Sequence, residues 1–102
     1  MDEARSKIQT AKDVTAEAPP SDEPLYVISV AAKLVQMPTW TLRVLDEQGI
    51  VVPNRTDKKR RLYSDRDLAR LARVRTLTEE EGVNINGVRL ILQIEEQRYK
   101  GD

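Results

Sequence analysis

The rhythm of apolar and polar positions changes at Leu25. Residues 1–24 are polar, carry Pro19, Pro20 and Pro24, and show no helical or alternating apolar period, a pattern that predicts a disordered tail. From Leu25, Tyr26, Val27 and Ile28 the chain enters Ser29, a favourable N-cap, and Val30, Ala31, Ala32, Leu34 and Val35 then give a short helix an apolar face. That helix must stop near Gln36 and Met37, because Pro38 pushes the residue before it out of helical geometry while suiting the first turn of a new helix. The second helix is expected from Pro38 to Gln48, with Leu42 and Leu45 on one face and Gly49 as its left-handed stop. Two short helices across a tight turn make a helix-turn-helix.

Beyond Gly49 the period shortens. Ile50, Val51 and Val52 precede Pro53, Arg55 and Thr56 lead into the polar turn Asp57-Lys58-Lys59, and Arg60, Arg61, Leu62 and Tyr63 return as a second strand, which predicts a two-stranded hairpin with a basic tip. Such a hairpin is marginal alone, so Val51, Leu62 and Tyr63 are expected to lean on the helices. Ser64 with Asp67 forms a capping-box pattern at the start of a third helix, whose buried stripe is Leu68, Leu71, Val74 and Leu77 and whose end is Gly82. Asn84 caps a fourth helix, with Val83 and Val88 placed as a hydrophobic staple. Ile85, Val88, Ile91 and Leu92 follow helical spacing, and Leu90 and Ile94 add an adjacent apolar strip. That strip has two readings: a contact for a second chain or partner, through Leu90, Ile91 and Ile94, or a helix that sinks both strips into its own core.

The chain has 102 residues, enough for one domain, which these elements place at residues 25–99 behind the acidic tail 1–24. It contains neither cysteine nor histidine, which excludes a disulfide scaffold, a zinc finger, a thiol nucleophile and a histidine-dependent triad. The paired carboxylates sit at helix ends or on charged faces, the four glycines are dispersed rather than gathered in a phosphate loop, and neither enzyme activity nor a cofactor is expected. Formal charge is zero, with 17 basic and 17 acidic side chains, yet residues 1–24, 25–78 and 79–102 carry −3, +6 and −3. The basic centre is steepest at Arg55, Lys58, Lys59, Arg60 and Arg61. A basic hairpin beside a helix-turn-helix suits a nucleic acid, since a helix fits the major groove while the hairpin follows neighbouring phosphates.

The run from Tyr26 to Ala32, then Thr41-Leu42-Arg43, Asp46, Gly49-Ile50-Val51, Pro53, Arg55-Thr56, Arg61-Leu62-Tyr63-Ser64, Asp67-Leu68 and Glu81-Gly82-Val83-Asn84 resembles the DNA-binding domain of MerR-family transcription regulators. The segment from Glu80 to Val88 resembles more narrowly the heat-shock repressor (HspR) branch of that family. The resemblance covers residues 25 to about 96 and implies a mainly α, winged helix-turn-helix fold of four helices and a two-stranded hairpin wing. It implies that the second helix enters the major groove, that Arg43 grips DNA, and that Arg61 and Tyr63 meet the phosphate backbone from the wing. Thr39, Trp40 and Arg43 become base-reading candidates, with Thr41 a phosphate donor or a buried hydroxyl. Arg55, Lys58, Lys59 and Arg60 supply phosphate charge. From the residues alone, Arg43 has the alternative of pairing with Asp46 or Glu47, Trp40 that of packing on the first helix instead of pressing on thymine methyls, and Tyr63 that of burying its ring. Where many members carry aromatics after the arginine, this chain has Val44 and Leu45, and neither the usual dimerising helix nor an effector domain is expected in the few residues after Ile94.

The implied function is a sequence-specific regulator of transcription, a repressor of stress or heat-shock genes, bound to double-stranded DNA in the bacterial cytoplasm, as a homodimer or a side-by-side assembly. Two alternatives keep the fold. One is a protein-interaction module that binds a chaperone or polymerase subunit, and the other is an excisionase-like architectural factor.

Overall fold

The computed structural model describes residues 20–100, so the expected tail lies, over residues 1–19, outside the described residues. In chain order the elements are strand β1 (Tyr26–Val27), helices α1 (Ile28–Val35) and α2 (Thr39–Glu47), strands β2 (Asn54–Arg55) and β3 (Arg61–Tyr63), helix α3 (Asp65–Arg75) running into a π-helical turn (Thr76–Glu80), and helix α4 (Ile85–Lys100). This is the expected mainly α, winged arrangement of four helices and a hairpin, with one strand more than expected. β1 pairs antiparallel with β3, Tyr26 opposite Tyr63, while β2 pairs with the other edge of β3, Arg55 opposite Arg61, giving the order β1-β3-β2. The pairing also corrects the start of α1. Ser29 is not its cap, because the helix begins at Ile28 and Val27, held extended by β3, occupies the N-cap position without a side-chain bond.

Several stops and starts fall where local chemistry puts them. Gly49 adopts φ 73° just after α2, as a left-handed stop requires. At the end of α1 the same conformation is taken by Gln36, φ 58°, at a cost of about 1–2 kcal/mol for a residue with a Cβ; Pro38 denies the chain a helical continuation there. At α3 the capping box is complete: Asp67 N–H donates to Ser64 Oγ at 3.1 Å and Ser64 N–H to Asp67 Oδ2 at 2.9 Å. Thr78 Oγ1 donates back to the carbonyl of Val74 at 2.9 Å, a bond that competes with the regular ladder, and the helix widens into the π turn before Gly82, φ 69°, ends it. Asn84 Oδ1 accepts from Gly87 N–H at 3.0 Å and so caps α4. Gly87 fits closely in this cap, since a Cβ there would lie 2.7 Å from Val83 Cγ1 and would have to displace that side chain.

One core joins all layers. Ala31, Ala32 and Val35 of α1, Leu42 and Leu45 of α2, Val51, Tyr63, Leu71 and Val74 of α3, Leu77, and Val88 and Leu92 of α4 are buried together. α1 packs against α2, α3 and the sheet, and α4 closes the core over the π turn. α2 is left with one face buried and the opposite face on the surface beside the hairpin. Arg89 of α4 fixes the far end of α2 by donating to the carbonyl of Gln48 at 2.9 Å and to its side-chain oxygen at 3.1 Å, a favourable place for a cation at a helix C-terminus.

Candidate nucleic-acid interface

The surface face of α2 follows from its period. Leu42 and Leu45 point into the core, Thr39 and Thr41 lie half-buried at the flanks, and Trp40, Arg43, Val44 and Glu47 stand together on the exposed side. Trp40 is 63% exposed, so most of its ring faces solvent. Arg43 has no ion-pair partner among the described residues: of the two carboxylates expected to compete for it, Asp46 is engaged by Arg55 and Arg61, and Glu47 forms no ion pair with it.

Asp46 is the hub of the site. A single oxygen, Oδ2, accepts from Arg55 Nη2 and from Arg61 Nε, both at 2.7 Å, and the Asp46 side chain is only 7% exposed. One helix residue thus grips both strands of the hairpin. Arg55 also closes the hairpin turn, its Nη1 donating to the carbonyl of Lys59 at 3.1 Å. The turn is shaped by Thr56, whose Oγ1 accepts from Arg60 N–H at 3.1 Å and whose carbonyl accepts from Lys59 N–H at 2.8 Å, with Lys59 at φ 65°. Lys58, Lys59 and Arg60 are exposed at the tip and have no ion-pair partner among the described residues. The five basic positions of the hairpin therefore divide into three tip cations directed at solvent and two arginines, Arg55 and Arg61, that tie the hairpin to α2. Charged hydrogen bonds of this kind hold geometry more strongly than neutral ones.

For Tyr63 the structure bears out the packed ring and corrects the expected phosphate contact. It is fully buried in the core and its hydroxyl has no hydrogen-bond partner among the described residues, so it does not reach the surface where a phosphate would lie. Burial pushes its phenol up to about 12, with the positive charge of Arg61 pulling modestly the other way. The pairing of β3 between β1 and β2 turns this residue inward, and no local pattern in Arg61-Leu62-Tyr63 distinguishes that from the outward register.

The remaining arginines of the basic centre are paired. On α3, Arg66 meets Asp22 at 3.0 Å, Arg70 meets Glu96, Arg73 meets Glu95 at 2.8 Å and Arg75 meets Glu79 at 3.4 Å. Arg73 is held charged more firmly by its hydrogen bonds to Glu95. Of the expected contact strip on α4, Leu90 and Ile94 are more than half exposed, while Ile91 is half-buried against the core. Among the described residues no helix is long and apolar enough to cross a membrane.

The sequence alone missed the Asp46 hub, although its signal is present as an acid one turn beyond Leu42 with arginines nine and fifteen residues downstream. Only the folding back of the hairpin brings them together.

Comparison with known proteins agrees with this architecture. Residues 26–95 match the family described as MerR HTH family regulatory protein. The chain is 45% identical over 76 residues to the heat shock protein HspR of Streptomyces coelicolor, covering 74% of this chain and 50% of that protein. It is 31% identical over 75 residues to the HTH-type transcriptional regulators GlnR of Bacillus anthracis and Bacillus cereus, covering 74% of this chain and 57% of each. The chain thus spans about half the length of the curated relatives it matches.

Proposed function

Because this chain belongs to the MerR HTH family of regulatory proteins, we propose that it is a sequence-specific, DNA-binding transcriptional regulator that represses stress or heat-shock genes in the bacterial cytoplasm, on the nucleoid. The observation that carries the reading is the joint surface of α2 and the hairpin, where Arg43 and the tip cations Lys58, Lys59 and Arg60 are exposed without ion-pair partners among the described residues. An α-helix with such a face fits the major groove, and a hairpin fixed beside it meets the flanking phosphates. Arg43 reads bases, the tip sets register through phosphates that carry no sequence information, and Thr39 and Thr41 stand at the helix flanks as hydroxyl donors. The stress-gene target follows from the 45% identity to a protein named for heat shock. Repression follows from occupancy of promoter DNA.

The exposed pair Leu90 and Ile94 supports a second copy, as a homodimer or side by side on the same site. A chaperone or polymerase subunit on that strip is the competing occupant. The deciding experiment is selection of bound duplexes from fragmented genomic DNA, with light scattering to fix stoichiometry on the selected site. Enrichment of promoter fragments is expected. A protein that retains no fragment even at low salt overturns the reading in favour of the interaction module.

A further inference from the structure

The exposed face of α2 holds more than its arginine. Trp40 and Val44 are four residues apart, so they stack one turn apart on the same side of the helix, and they are 63% and 38% exposed. Trp40 is the only tryptophan of the chain, and on this helix it lies beside Arg43 and Glu47 rather than over the core. An aromatic side chain of that size left in water forgoes a large burial free energy, which points to a partner surface that offers apolar atoms. In the major groove the apolar group among the base edges is the C5 methyl of thymine; the other positions are hydrogen-bond donors and acceptors.

We propose that Trp40 and Val44 form an apolar reading strip that selects thymine through its methyl group, alongside Arg43, which donates to guanine, and Glu47, which accepts from the amino group of cytosine. The inference rests on the DNA-binding reading above. The spacing suits a duplex. A residue four positions on rises about 6 Å along the helix, less than two base-pair steps at about 3.4 Å each, so the two side chains address thymines at neighbouring or next-neighbouring positions. Arg89 at one end of α2 and Asp46 at its side hold the helix against the body, so the strip is presented at a fixed angle.

The test replaces thymidine by deoxyuridine, which removes the methyl and keeps base pairing. Duplexes are first selected by the full chain from a random-sequence pool; the enriched site is then synthesised with deoxyuridine at each thymidine in turn. Loss of a contacted methyl should weaken binding about threefold to fourfold, and loss of two roughly tenfold, as expected for burial of one or two methyl groups. Trp40→Ala and Val44→Ala should each abolish the sensitivity at a different thymine, and Arg43→Ala should bind more weakly while keeping the thymidine-to-deoxyuridine ratio. Trp40 is mostly exposed and Val44 is 38% exposed, so thermal melting should match the parent for Trp40→Ala and fall by no more than a few degrees for Val44→Ala. Equal affinity for the two DNAs, or an undiminished ratio in both alanine variants, overturns the proposal and leaves the DNA-binding reading intact. A pool that yields no enriched sequence removes both.

Discussion

Two regions of this molecule have similar stocks of basic side chains and use them in opposite ways. On α3 four arginines, Arg66, Arg70, Arg73 and Arg75, are each matched to an acid from the lead-in segment, α4 or the next turn. On α2 and the hairpin, Arg43, Lys58, Lys59 and Arg60 have no such match among the described residues, and the buried acid of that region, Asp46, is occupied by Arg55 and Arg61. A net charge of +6 over residues 25–78 therefore does not describe a uniformly basic surface. Pairing removes the α3 arginines from the long-range field and leaves it centred on the α2–hairpin face.

The most severe way to break this contrast is to remove the tip. Replacing Lys58, Lys59 and Arg60 together by alanine should lower affinity for selected and random duplexes alike, on the order of a hundredfold near 0.1 M salt, and should make the slope of log affinity against log salt shallower by about 2.7. Arg43→Ala on the same face should cost roughly tenfold or more on the selected site and far less on random DNA; fluorescence anisotropy on both duplexes separates the two effects. Equal losses on both DNAs for both variants would erase the division between reading and positioning.

Asp46→Asn sharpens the comparison by converting two paired arginines into unpaired ones. Stability should fall by about 1–2 kcal/mol in urea denaturation, the value of charge-assisted hydrogen bonds at a largely buried group. The salt slope on random DNA should steepen by up to about 1.8 as Arg55 and Arg61 become available to phosphate. The smallest effect belongs to the matched region. Arg73→Ala should leave DNA affinity unchanged within about twofold and move the melting temperature by no more than a few degrees, because its pair with Glu95 is exposed. A large loss of DNA binding in this variant would place α3 in the interface.

How much of this was legible in the sequence depended on the range of the interaction. Short-range chemistry was readable: Ser64 and Asp67 close their box, Asn84 caps α4, Gly49 and Gly82 take positive φ, and Pro38 separates the first two helices. Strand β1 was not readable, because two residues carry no alternation and Tyr26–Val27 becomes a strand only through β3. For Tyr63 the packing of the ring was readable, whereas the fate of its hydroxyl was not, since the register of a three-residue strand is decided by its neighbours. The close fit of Gly87 depends on where Val83 folds over the cap. The candidate site showed the same limit: the exposed face of α2 came from its period, whereas the roles of Arg55 and Arg61 depended on an acid fifteen residues from the farther one.

The shared oxygen of Asp46 also bears on how quickly a target can be recognised. With the hairpin already fastened to α2, the two contact elements meet a duplex as one stiff body, and little chain entropy remains to be lost on docking. Association is then governed by diffusion and orientation, with sampling of many wrong sites limited by how fast each is released rather than by a refolding step at each one. On the proposed function, discrimination between duplexes then resides in how long the protein stays, as it does among most related complexes.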